Sequence, residues 1–121
     1  MRHIGLHLTT DNKLYCYAVS HGEVVRFPVS AIRYMQKDLR EIHICLGAKQ
    51  VTVYAKFDEI EPQLPASFCR CHESFLVNLD YVTKFRSNAF YMETGEEIPI
   101  SATRRADARG QFLSYSHILE K

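Results

Sequence analysis

The run Phe68-Cys69-Arg70-Cys71-His72-Glu73-Ser74-Phe75-Leu76-Val77-Asn78-Leu79-Asp80-Tyr81-Val82 is the densest polar cluster of the chain. Its beginning, Cys69 to His72, reads as a strand, and His72, Glu73 and Ser74 lead into a loop. In a strand Cys69 and Cys71 face one side and His72 the other. Asn78 favours turns, because its side chain hydrogen-bonds to nearby backbone, so it reads as structural. Val82 opens the next strand.

Upstream, Phe57, Ile60 and Leu64 recur at helical spacing between Ala55 and Pro65, which predicts one short amphipathic helix. Pro62 lacks a backbone donor and crowds the preceding turn, so this helix is short or irregular. Further upstream the period is that of strands. Ile4, Leu6 and Leu8 alternate with polar or small residues up to the turn Thr10-Asp11-Asn12-Lys13. Leu14 to Val19 and Val24 to Phe27 flank the turn Ser20-His21-Gly22-Glu23, and Pro28 confines the third segment to a strand end or sheet edge. Ile32 to Gln36 and Glu41 to Leu46 predict two more strands around Lys37-Asp38-Leu39-Arg40, and Gly47-Ala48-Lys49 turns into Val51-Thr52-Val53-Tyr54.

Downstream, Val82 to Arg86, Ala89 to Met92 and Glu96 to Ser101 are strand-like and linked by Ser87-Asn88 and Thr94-Gly95 turns. Ala108, Phe112, Tyr115 and Leu119 then form a helical stripe, which Gly110 weakens by roughly 1 kcal/mol. The fold class expected is mainly β: about ten short antiparallel strands in a compact multi-sheet fold, with one short middle helix and a C-terminal helix.

With 121 residues, 46% hydrophobic and 24% charged, the chain has the size and composition of one soluble globular domain. No apolar run approaches the roughly 20 residues that span a bilayer, so membrane insertion is not expected. Met1 to Leu6 lacks the long apolar segment of a secretory signal, which points to the cytoplasm. Cys16, Cys45, Cys69 and Cys71 are accordingly read as free thiols. A formal charge of +1 argues weakly against nucleic acid, since a basic domain is the usual footprint.

Two chemistries suggested by side-chain type are disfavoured by strand geometry. Cys69, Cys71 and His72, with His43 and Cys45 elsewhere, could be metal ligands, but the alternation keeps three of them from converging. A cysteine hydrolase using Cys71 or Cys45 meets the same objection, and no oxyanion or nucleophile-elbow pattern accompanies it. Neither an enzyme nor a cofactor or metal site is expected. A redox-active Cys71 beside the loop is a further reading, against that of a buried inert thiol.

Arg70, His72, Ser74, Val77 and Asn78 stand in the order Arg-x-His-x-Ser-hydrophobic-hydrophobic-Val-Asn. This run resembles the signature of the LytTR family of bacterial DNA-binding domains, the effector domains of response regulators. Ile32-Arg33-Tyr34-Met35 is similar to that family's Ile-x-aromatic-hydrophobic strand, and Glu97-Ile98-Pro99-Ile100-Ser101 to its Ile-Pro-Val-Ser strand. The resemblance covers about residues 25 to 118, with residues 1 to 24 as an N-terminal hairpin extension of a single domain over 1 to 121 and no receiver domain. It implies a sequence-specific transcription regulator that inserts loops, rather than a helix, into successive major grooves of promoter DNA, often at direct repeats.

Three segments supply side chains suited to base edges and phosphates. Lys37 and Arg40 lie in a polar turn that corresponds to a DNA-contacting loop of the family, or form an ordinary solvated turn. His72, Glu73 and Ser74 form the second loop, with Glu73 at the family's base-contacting position. A carboxylate there departs from the family's usual basic or amide residue and would suit a cytosine amino group; the alternative is that Glu73 is mute and His72 or Ser74 makes the contact. His72 equally reads as holding the loop by a backbone hydrogen bond, and Arg70 as reaching a phosphate or packing its stem on the sheet. Thr103, Arg104 and Arg105 enter the last helix, where Ala102 and Thr103 stand in place of a common arginine, so the basic weight falls on Arg104 and Arg105, with either one entering the groove, or the segment is an ordinary solvated helix face.

The partner expected is double-stranded promoter DNA. A homodimer through the C-terminal helix or an edge strand, and a regulatory protein partner, are further expectations. The alternative is a LytTR-like protein-interaction module with weak or no DNA binding, favoured by near-neutral charge and Glu73. Met1 points to a one-domain regulator, with a fragment of a larger response regulator as the other reading.

Overall fold

The computed structural model describes residues 4–20 and 22–119, and the side chains of these other than 20 and 116–119. Met1, Arg2 and His3, the turn residue His21 and the Leu119 end of the helical stripe therefore lie outside the described side chains. The described residues form eleven strands, paired antiparallel wherever their registers are given, and two helices. The chain resolves into two compact units, Met1–Leu64 and Pro65–Lys121.

In the first unit, β1 (Ile4–Leu8), β2 (Leu14–Ser20) and β3 (Glu23–Pro28) form a meander in the order β1-β2-β3. Alternation along β2 buries Cys16 and Ala18. Gly5 pairs with Tyr17, and a Cβ on Gly5 would lie 2.5 Å from the Tyr17 phenol oxygen, so the aromatic ring lies over glycine where a side chain could not fit. One 3-10 turn, Val29–Ala31, follows Pro28. The strands β4 (Tyr34–Asp38), β5 (Glu41–Cys45) and β6 (Gln50–Tyr54) then pair in sequence. Register sets Met35 opposite Ile44, Ile44 opposite Val51 and Ile42 opposite Val53, and all five are buried on one face.

Two sequence expectations are corrected in this unit. The strand expected over Ile32 to Gln36 runs two residues later, because Pro28 and the 3-10 turn displace its start. Lys37 is consequently a strand residue paired with Ile42, half-buried at the end of the core face, with only Leu39 and Arg40 left in the turn. The helix is as short as Pro62 demands. α1 is Phe57–Ile60, burying Phe57 and Ile60, and Glu61–Gln63 continues as a 3-10 turn with Pro62 in its opening positions, where no donor is needed.

The second unit opens with the hairpin of β7 (Phe68–His72) and β8 (Phe75–Asn78). β8 is the strand that sequence periodicity missed. Leu76, Val77 and Asn78 are all buried, so the segment shows a continuous apolar run instead of alternation. Asn78 is the one buried polar residue of the described core; its side chain accepts from the Asp80 backbone N–H at 3.0 Å and caps the 3-10 turn Leu79–Tyr81. Next, β9 (Val82–Arg86), β10 (Ala89–Met92) and β11 (Glu97–Pro99) form a sheet with β10 central. Phe90, fully buried, sits opposite Phe85 and Ile98.

A 3-10 turn, Ala102–Arg104, leads into α2 (Arg105–Leu119). The apolar stripe predicted from Ala108 onward docks this helix on its own unit. Ala108 is buried, Phe112 stacks edge-on against Phe90, the Tyr115 hydroxyl donates to Asp80, and the Gln111 amide donates to the Phe68 carbonyl at 2.8 Å. Among the described residues, no helix is long and apolar enough to cross a membrane.

Candidate nucleic-acid interface

The β4–β5 hairpin closes with Asp38 opposite Glu41, so Leu39 and Arg40 alone make its tip. Arg40 is exposed, and Leu39 has a φ of 57° and is 87% exposed. Behind the tip, His43 Nδ1 is 2.9 Å from the Thr52 hydroxyl, and its Nε2 lies 3.8 Å from both the Asp38 and Glu41 carboxylates. This tip therefore carries one cation, one apolar side chain and two flanking carboxylates. The sequence reading passed over Leu39; the signal was an apolar residue in the middle of a polar turn.

The β7–β8 hairpin is built on the same plan, with His72 opposite Phe75 and Glu73-Ser74 as a two-residue tip. Arg70 holds it from inside. Its Nε donates to the His72 carbonyl and its Nη2 to the Glu73 carbonyl, each at 2.9 Å. His72 Nδ1 accepts from the Ser74 backbone N–H at 3.0 Å, which requires that nitrogen to be unprotonated, and the ring packs edge-on against Phe75. His72 thus makes the backbone hydrogen bond that was one of its two readings, while Arg70 does what neither of its readings named and clamps two carbonyls of the tip. Ser74 is half-buried in that bond, whereas Glu73 is exposed.

Arg70→Lys is expected to loosen this tip, because one ammonium cannot span two carbonyls as a guanidinium does. The loss should be about 1–2 kcal/mol, read as a fall of several degrees in the thermal midpoint. A shift below about 1 °C would show the clamp to be idle.

The third segment is tied to the second. The Ser101 backbone N–H donates to the Cys71 carbonyl at 2.9 Å, and the Cys71 thiol to the Pro99 carbonyl at 3.5 Å. Thr103 and Arg105 are exposed and Arg104 is half-buried, with its charge close enough to favour the Cys71 thiolate slightly. Arg105 starts a 15-residue helix, where the dipole is positive and a cation costs a few tenths of a kcal/mol. Backbone amides and arginines there make a concentrated positive end, with Asp107 the acidic residue of the first turn. Within the second unit, then, Glu73 and the Arg104-Arg105 pair are held by the two ends of one set of bonds through β7.

The thiols have the character of core residues. Cys16, Cys69 and Cys71 are buried, and burial pushes Cys16 and Cys71 up to about 12. This geometry favours the inert reading of Cys71 over the redox one. Native protein at about pH 8 should react with iodoacetamide at half-exposed Cys45 alone, and at all four cysteines once denatured. Rapid native labelling of Cys71, read by peptide mass, would overturn this. Among the described residues, no group of three or more His, Cys, Asp or Glu is placed to hold a metal.

The sequence profile of the LytTr DNA-binding domain family matches residues 22–112. Among solved structures, the LytTr DNA-binding domain of a protein from Bacillus cereus superposes with a TM-score of 0.69 at 22% identity, covering 92% of this chain and 97% of that one. A comparison with curated proteins gives no significant match. The profile spans three quarters of the chain, takes in all three candidate segments and agrees with the fold: this chain belongs to the LytTR family of DNA-binding domains.

Proposed function

We propose that the chain is a cytoplasmic, sequence-specific transcription regulator that places its loops into successive major grooves of promoter DNA, at direct repeats. Membership of a family of DNA-binding domains supports this reading. The observation that carries it furthest is the hydrogen bond from Ser101 to Cys71, which fixes the arginine segment to the strand that bears the Glu73 tip. A rigid pair of unlike readers is what base recognition needs, since a guanidinium suits guanine or phosphate and a carboxylate can only accept, as from a cytosine amino group.

Arg104 and Arg105 supply guanine or phosphate contacts, with Thr103 donating to phosphate. Glu73 reads a cytosine, and Ser74 completes that tip. Arg70 and His72 act behind it. Arg40 reaches DNA from the β4–β5 tip, and Lys37 neutralises phosphate from the strand beneath. A homodimer or a regulatory protein partner would act by setting occupancy of the two repeats.

A gel-shift titration against the upstream region of its own gene tests the proposal. A shift should survive non-specific competitor and weaken about 100-fold between about 50 and 200 mM salt, as about four phosphate contacts require. No shift at low salt would sink the proposal and leave the protein-interaction module, which the exposed carboxylate of Glu73 favours.

A further inference from the structure

We propose that Leu39 is a specificity-determining residue, whose side chain packs against the C5-methyl group of a thymine in the major groove. This rests on the reading that the chain recognises duplex DNA with hairpin tips.

Folding has little use for leucine at this position. Its φ of 57° lies in the left-handed region, which costs a residue with a Cβ about 1 kcal/mol and is free to glycine. That cost is not returned by packing, because Leu39 is 87% exposed, the most exposed of the large apolar residues among those described. A strained, solvated aliphatic side chain at the apex of a two-residue tip is a feature whose stabilising contact lies outside the chain.

The surroundings select the partner. Asp38 and Glu41 flank the tip on either side, with side chains 66% and 38% exposed, and their carboxylates are repelled by phosphates. Arg40 is the only cation of the tip. Such a tip is poorly matched to the phosphate walls of the groove and better matched to its floor. There the thymine methyl is the apolar group a base pair presents, so an aliphatic side chain gives direct readout of thymine. Arg40 then reaches the adjacent base edge or the near phosphate.

The test starts from a duplex that wild-type protein selects out of a random pool. Each thymine of that duplex is replaced singly by deoxyuridine, which removes the methyl and leaves the hydrogen-bonding edge unchanged. Wild type should lose about tenfold in affinity at one position or two adjacent ones. Leu39→Ala should bind the thymine duplex about tenfold more weakly and be indifferent to the methyl at that position, with other positions unchanged. Leu39→Gly should behave likewise and melt no lower than wild type, since its φ is unstrained, which separates recognition from folding. Tight binding by wild type that ignores every deoxyuridine, or retention of methyl sensitivity by Leu39→Ala, would overturn the inference while leaving DNA recognition standing. Failure to select any duplex would overturn both.

Discussion

Arg104→Ala combined with Arg105→Ala is expected to weaken binding to a cognate duplex by about 100-fold at about 0.15 M salt, with the fold intact. The two side chains stand at the start of α2, where the unsatisfied amides and the helix dipole already favour anions. If both meet phosphates, the slope of log K against log salt should become shallower by about 2. If one is bidentate to guanine, the slope changes by about 1 and specificity relaxes at one base pair. The thermal midpoint should hold or rise slightly, because removing cations from the positive end of a helix relieves a small repulsion. Unchanged affinity in a folded double variant would move the DNA contact away from this segment.

Phe90→Ala should be the most destabilising single change in the second unit. Phe90 is fully buried and meets Phe85 and Phe112 edge-to-face, with ring centroids 5.8 and 5.6 Å away. Truncation removes the transfer free energy of the ring, leaves a cavity and breaks both ring pairs, a cost of about 3–5 kcal/mol. Against a total stability of about 5–15 kcal/mol, that should lower the thermal midpoint by more than about 10 °C. The functional consequence follows from Phe112, one of the side chains through which α2 docks. Loss of Phe90 loosens the helix whose first residues are the arginines, so DNA affinity should fall together with stability. Phe90→Leu should keep about half of the lost stability, and a loss below about 1 kcal/mol for Phe90→Ala would show that α2 docks by other contacts.

What the sequence disclosed and what it hid have the same physical source. Strands with one face on the core alternate, so Glu41–Cys45 and Gln50–Tyr54 were legible within a residue or so; Ile4–Leu8 was legible from the same period, although its buried residue is Gly5 and Leu8 is 58% exposed. Phe75–Asn78 is buried along nearly its whole length, which erased the alternation and hid a strand inside the signature run itself. Lys37 was misplaced because a polar residue near a turn looks like loop, whereas its long stem can lie at the end of a core face with the charge at the edge.

The candidate site divides the same way. Residue types named Arg70, His72, Glu73 and the arginine pair, but their roles depend on partners that no spacing reveals. The carbonyls of His72 and Glu73 turned Arg70 inward, and the Ser74 amide fixed the His72 ring. Leu39 was passed over because leucine carries no polar signal; its one mark in the sequence is to be apolar inside a polar turn, and its relevance lies in a backbone angle and an exposure that only the fold shows.

Whether this fold reads duplex sequence is decided by selection of bound DNA from a random double-stranded pool, followed by sequencing of the enriched molecules. A short motif should be enriched as a direct repeat, with copies about one helical turn apart so that both face the same side of the duplex. Recovery of a pool indistinguishable from the input, by protein that melts cooperatively, would contradict it.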